Sequence, residues 1–263
     1  MTRLALPPFR AIHTRTDLPA HDTQFLPDGA SLVISPELDK LLTLAPAQLA
    51  RRRIVLIDGE GGCGKTTALS ALAAASPVPV VRAVVTPGAT GVKVMEAIHT
   101  ALTGNDAGLS QRQYENTLKR LLATEPRLLF IDEAQNAGLP VLQTLRLMLE
   151  GPGAQFAFVL AGYKVHEHVR KESQLRGWVG HVATFAPLTP QATLVPTLAA
   201  LHPWFVGVSP HLLVEVDRVY CRGRLREWAV LLETCMDLQP SGPLTRGLFV
   251  DALDAVTHTC FAL

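Results

Sequence analysis

The run Gly59-Glu60-Gly61-Gly62-Cys63-Gly64-Lys65-Thr66 meets the pattern G-x-x-x-x-G-K-[ST] at every fixed position. It follows a short apolar stretch, Ile54-Val55-Leu56-Ile57, and leads into a helical spacing of Ala68, Leu69, Ala71 and Leu72. Glycines let the backbone curl until several N–H groups point at one phosphate. The helix that follows aims its positive N-terminal end at the same anion. Lys65 adds a full charge that reaches β- and γ-phosphates, and the Thr66 hydroxyl is a Mg²⁺ ligand. With Thr67 next in line, the whole run from Gly59 is expected to line ATP. The alternative, a glycine turn without a ligand, is disfavoured by the strand and helix signals on either side.

A second set of chemical groups closes another apolar run, Leu128-Leu129-Phe130-Ile131-Asp132-Glu133. A buried strand would deliver Asp132 at its C-terminal end, where its carboxylate can hold Mg²⁺ directly or through water. Glu133, one residue on, can orient a water and take its proton for in-line attack on the γ-phosphate. A third apolar run, Phe156 to Ala161, ends in Gly162-Tyr163-Lys164. Tyr163 is the one polar side chain there that could touch a γ-phosphate; packing is the equal alternative. His166 and His168 have no third metal ligand near them in sequence and are expected to be solvated, on opposite sides of a helix.

These groups need a frame. The chain has 263 residues, 48% of them apolar and 18% charged, which suits one larger domain or one with a small appendage. A net charge of +1 and a pI near 7.8 exclude a histone-like polycation, so any nucleic-acid contact must use a local patch. The four cysteines (Cys63, Cys221, Cys235, Cys260) form no C-x-x-C pair, and a reduced, cytoplasmic protein is expected. No leader-like or bilayer-spanning apolar run is seen, so no membrane partner is expected.

Residues 1–35, punctuated by Pro7, Pro8, Pro19 and Pro27, read as an irregular arm. It either docks on a partner or straps its own domain. Ser35-Pro36 opens a helix with Leu38, Leu41, Leu42 and Leu44 on its apolar face. Arg51 to Arg53 then read as a solvated strand edge, with contact to a phosphate backbone as the lesser alternative. Val78 to Val85 and His181 to Phe185 read as further strands. Helices follow Thr90 and Ser110, the latter with a Tyr114, Leu118, Leu121 and Leu122 stripe; others cover Leu139 to Glu150 and Val165 to Lys171. From Leu188 onward strands stop. Thr189-Pro190, Ser209-Pro210 and Leu225 open helices, and a last one runs from Pro243 to His258. The expected organisation is an arm over 1–35, an α/β nucleotide-binding domain over 36–187 and a helical domain over 188–263.

Strand, phosphate loop and helix, Asp-Glu at a later strand, and a helical C-terminal part together resemble the AAA+ ATPases. The resemblance implies a five-stranded parallel sheet flanked by helices, with the Asp132 strand not adjacent to the loop strand, and a small all-helical lid. Gly223-Arg224-Leu225-Arg226 looks like the family's second sensor, with Arg224 reaching the nucleotide. Arg176, with Arg170 in reserve, looks like the arginine finger given to a neighbouring subunit. Where members often carry Asn or Thr as first sensor, this chain has Gly162-Tyr163. Within the family, the compact size and Ile131-Asp132-Glu133-Ala134-Gln135-Asn136 are most similar to the DNA-transposition regulator ATPases of the MuB, TniB and TnsC kind. That implies homo-oligomeric rings or helical filaments that ATP assembles on duplex DNA, that recruit a transposase and that hydrolysis releases. Lys93, Arg112, Lys119 and Arg120 are the candidate contacts to the DNA backbone, against a plainly solvated helix face. Two other readings stand beside it. One is a low-turnover nucleotide switch or scaffold (STAND-like) acting on a protein partner. The other, ranked last, is a small-molecule kinase, which would need an arginine-bearing lid inserted within the sheet domain.

Overall fold

The computed structural model describes residues 3–18 and 26–257. Pro19, Cys260 and His258, the expected end of the last helix, lie outside them. The chain divides into two compact units, and their boundaries are interleaved along the sequence. One holds the described part of 1–11 with 36–59 and 71–184; the other holds the described parts of 12–35 and 185–263 with 60–70.

The first unit is built on a five-stranded sheet. Its strands are β1 (Ile54–Gly59), β2 (Val80–Val84), β3 (Arg127–Asp132), β4 (Phe156–Gly162) and β5 (Val179–Phe185), in the order β2-β3-β4-β1-β5. The pairs β2–β3, β3–β4 and β4–β1 are parallel, and β4 separates β3 from β1 as the resemblance implies. Every residue of β3 and β4 is buried, which is why these strands read as unbroken apolar runs rather than alternating ones. On one face Ile54, Leu56, Leu129, Ile131, Phe156, Phe158 and Leu160 share a core with Val94, Ile98, Tyr114, Leu142, Leu145 and Val165. Those side chains come from α3 (Gly91–Thr103), α4 (Gln111–Leu121), α5 (Leu139–Glu150) and α6 (Val165–Arg170). α1 (Pro36–Ala50) lies against β1 and β4. The starts agree with local chemistry. Thr90 Oγ1 accepts the Lys93 N–H ahead of α3, and Ser110 with Gln113 forms a capping box on α4.

Several expectations are corrected here. Leu44 is 45% exposed, because the buried stripe of α1 is Leu38, Leu41, Ala45 and Leu49 and Leu44 falls beside it. Arg52 and Arg53 are not simply solvated. Arg52 donates to the Leu149 and Ala154 carbonyls, and Arg53 to the Gly177 carbonyl at 2.7 Å. Of the two alternatives for the arm, residues 3–11 show bonds to their own unit. Leu4 N–H bonds to the Ala50 carbonyl, and Arg10 N–H and Nε bond to the Ala75 and Ala74 carbonyls.

The second unit is helical: α8 (Val195–Leu201), α9 (Pro210–Val216), α10 (Leu225–Leu238) and α11 (Arg246–Thr257). Wider, π-type turns at Pro190–Leu194 and Asp217–Cys221 flank the first two. Trp228 anchors the core, edge-on to Phe205 at 5.5 Å and to Phe249 at 6.3 Å between ring centroids. Residues of 12–35 belong to this unit: Ser31 N–H bonds to the Leu201 carbonyl, His202 to the Asp28 carbonyl, and Ala30 joins the core. α11 starts later than Pro243, because Thr245 accepts the Leu248 and Phe249 N–H groups and opens the helix. No helix among the described residues is long and apolar enough to cross a membrane.

Candidate nucleotide site

The phosphate loop leaves β1 at Gly59 and enters α2 (Lys65–Ala75). Gly62 and Gly64 hold φ values of 80° and 97°, a conformation in which L side chains are strained, so the backbone calls for glycine both at Gly64, a fixed place of the pattern, and at Gly62, one of its variable places. Lys65 Nζ donates to the Glu60 carbonyl at 2.7 Å, folding the lysine back over its own loop. Cys63 is buried, and burial together with nearby Glu60 pushes its thiol pKa up, so it lines the loop as a neutral group.

The same unit brings the start of α10 to this loop. Arg224, at the N-cap, places its guanidinium 3.3 Å from Glu60 Oε2 and 3.7 Å from Glu227 Oε1. Its hydrogen bond to Glu60 raises the Arg224 pKa further. Arg226 N–H donates to the Gly62 carbonyl at 3.2 Å. The turn before Arg224 hangs on Asp217, a buried carboxylate whose Oδ1 accepts the Gly223 N–H at 2.8 Å and the Trp228 Nε1–H at 2.9 Å. Neither Glu60 nor Asp217 was expected to act on Arg224. Gly223 Arg224 was legible, but its support lies one irregular turn upstream.

In the sheet unit, Asp132 ends β3 and Glu133 follows it in the left-handed region at φ 54°, an uncommon place for a residue with a side chain. Asp132 accepts the Glu133 N–H at 2.9 Å through Oδ1 and the Arg82 guanidinium at 2.6 Å through Oδ2. Arg82 comes from edge strand β2. It pairs in register with Phe130, so Asp132, two residues further on, sits on the same face within its reach. The signal in the sequence was an arginine inside an otherwise apolar strand. The turn after Glu133 is tied to both neighbouring strands. Asn136 Nδ2 donates to the Val85 carbonyl at 2.9 Å, and Gln135 Oε1 accepts the Tyr163 N–H at 3.0 Å. The Gln135 amide nitrogen lies 2.5 Å from Glu133 Oε2.

Tyr163 is 45% exposed, with the Lys164 ammonium 5.3 Å from its ring centroid; its backbone, not its hydroxyl, is tied to the carboxylate corner. His166 and His168 are corrected from solvated to half-buried. The His166 N–H donates to Asp58 Oδ2, and the His168 ring bonds to the Ala137 carbonyl at 2.9 Å. Among the described residues no group of three or more His, Cys, Asp or Glu could hold a metal. Asp132 in the sheet unit and Thr66 in the phosphate loop are each hard oxygen donors of the kind Mg²⁺ takes, and the guanidinium against Asp132 marks a place that takes positive charge. Arg170 and Arg176 are exposed at the ends of α6 and α7 (Ser173–Arg176). Lys93 is exposed and paired with Glu96 at 2.5 Å, whereas Arg112, Lys119 and Arg120 are exposed on α4.

Residues 48–168 match the family described as an AAA domain. No curated protein is matched by the sequence. Among solved structures, the Orc1 protein of Aeropyrum pernix in complex with DNA is similar at a TM-score of 0.62 and 18% identity, covering 91% of this chain and 68% of that one. The RuvB Holliday junction branch migration motor of Thermotoga maritima is similar at a TM-score of 0.55 and 16% identity, covering 83% and 68%. These likenesses carry the fold; the loop and the Asp-Glu pair carry the chemistry. The chain has the AAA+ fold, residues 48–168 match an AAA domain, and its phosphate loop and Asp-Glu pair are those of an ATP hydrolase.

Proposed function

We propose that this ATPase assembles on duplex DNA when ATP binds and regulates DNA transposition by marking a target and recruiting a transposase. In this reading Lys65 holds the β- and γ-phosphates, Thr66 and Asp132 hold Mg²⁺, and Glu133 activates water. Arg224 reads the nucleotide from α10, and Arg176 completes the site of a neighbouring subunit. The observation that supports DNA contact is the outer face of α4. Arg112 and Lys119 are two helical turns apart, Arg120 lies beside Lys119, and all three are exposed while Tyr114 and Leu118 are buried on the opposite side. A basic row on a nearly neutral protein suits sequence-independent contact with a phosphate backbone. The motif run through Asn136 supports the transposition assignment, and the Orc1 protein of similar fold binds DNA, which supports the DNA contact.

The test is steady-state ATP hydrolysis with and without duplex DNA at low and moderate salt. Stimulation that fades as salt rises is the expected result. Hydrolysis indifferent to DNA would favour the nucleotide switch, a reading that the exposed Tyr163 at the first-sensor place supports.

A further inference from the structure

We infer that Gln135 is the positioning residue for the Glu133 carboxylate, filling the role that a polar side chain at 163 does not. The inference rests on Glu133 as the water-activating group. The Gln135 side chain is engaged at both ends. A backbone N–H only donates and a carboxylate only accepts, so the Tyr163 N–H takes Oε1 and Glu133 takes the NH₂ group. The amide orientation is thereby fixed by its partners. The bond to Glu133 Oε2 is charge-assisted, since its acceptor is a carboxylate. Glu133 is otherwise an exposed, long side chain with many rotamers. The amide therefore couples the last turn of β4 to the orientation of the carboxylate.

Gly162 supplies the space. A Cβ there would lie 1.9 Å from Gln135 Oε1 and 3.2 Å from both its Cδ and the Ala134 nitrogen. Gly162 is not among the residues with positive φ, so its backbone does not call for glycine. What the position needs is the absence of a side chain, and the atom that requires it is the Gln135 amide oxygen. On the other side, Asn136 ties the same turn to β2, which keeps the backbone of Glu133 in place whatever residue stands at 135. Loss of the amide should thus release the carboxylate and leave the turn.

The experiment compares kcat and KM for MgATP in the full chain for Gln135→Leu, Gly162→Ala, Glu133→Gln and the double variant Glu133→Gln with Gln135→Leu. Leucine keeps bulk and removes the amide; alanine at 162 displaces the amide while Gln135 remains. Both single variants are expected to lower kcat about 10- to 100-fold with KM within about 2-fold of the parent, because misplacing a catalytic group costs rate and not ground-state binding. The double variant is expected to be no slower than Glu133→Gln, since Gln135 acts only through Glu133. An unchanged kcat in Gln135→Leu, a KM that rises with the fall in kcat, or an additive loss in the double variant overturns the inference. Normal hydrolysis by Glu133→Gln instead overturns the reading of Glu133 itself, so the two failures are distinct.

Discussion

Asp132 meets Arg82 at 2.6 Å, with side chains only 10% and 29% exposed, so the pair is shielded from water. If Asp132 holds Mg²⁺ as proposed, the metal and the guanidinium compete for one carboxylate. Arg82→Ala should therefore lower the Mg²⁺ concentration for half-maximal hydrolysis by about 3-fold or more, while costing about 1–3 kcal/mol of stability for the lost bond to a buried charge. A Mg²⁺ titration alongside thermal melting checks this; a lower melting point with an unmoved Mg²⁺ midpoint would make Arg82 structural only. Lys65→Ala should abolish nucleotide binding, whereas Glu133→Gln should keep it and lose hydrolysis by about 100-fold or more, read by fluorescent-nucleotide binding beside phosphate release. His181 on β5 gives a pH signature. Burial lowers its pKa, and its Nε2 is buried without a hydrogen-bond partner. A lowered folded pKa means that below about pH 6.5 the unfolded chain takes up a proton that the folded one resists. Its contribution is present above that pH and is lost as pH falls. Melting temperature should drop as pH falls from 7 to 5, and His181→Phe should flatten the drop.

At the scale of elements, the turn from α9 into α10 shows what the sequence did and did not reveal. Gly223-Arg224 was legible by resemblance to a known motif. Asp217 was not, because it reaches Gly223 and Trp228 from a π-type turn that has no periodic signature. Asp217→Ala would orphan two buried donors and is expected to cost about 2–4 kcal/mol, measured by denaturant unfolding. Gly223→Ala should match it, since φ is 76° and a Cβ would lie 2.4 Å from the Leu188 carbonyl oxygen. Both should also weaken nucleotide binding through Arg224; full affinity in a destabilised variant would separate the turn from the site. The sheet was legible for a simple reason. β3 and β4 are buried on both faces and must be apolar throughout, so a carboxylate at the end of one stands out. Arg82–Asp132 and Gln135–Tyr163 were not legible. They depend on which strands are neighbours, and order β2-β3-β4 is set by crossovers that leave no local mark. The arm was irregular in pattern because its bonds go to helix-end carbonyls of its own chain and not to a repeat of its own.

For the whole molecule, a net charge of +1 leaves no general attraction to DNA, so binding must answer to a few residues. If α4 carries the contact, replacing Arg112, Lys119 and Arg120 by alanine should flatten the log-log dependence of DNA affinity on salt by up to about 2.7, near 0.9 for each phosphate contact. Lys93→Ala should change it less, because Lys93 is already paired with Glu96. Assembly allows a sharper test. A finger supplied across a head-to-tail interface divides the active site between subunits. Arg176→Ala would then be inactive for want of a finger, and Glu133→Gln for want of a base, yet each keeps what the other lacks. In an equal mixture, a productive interface needs an Arg176→Ala subunit carrying Glu133 beside a Glu133→Gln subunit offering Arg176. Random association along a heterologous assembly puts about a quarter of interfaces in that arrangement, so the mixture should recover about a quarter of parental hydrolysis. Recovery should vanish on dilution below the assembly range. A mixture as inactive as its components, with both variants still binding ATP and assembling, would remove Arg176 from the role and turn the same mixing test to Arg170, which is also exposed, at the end of α6.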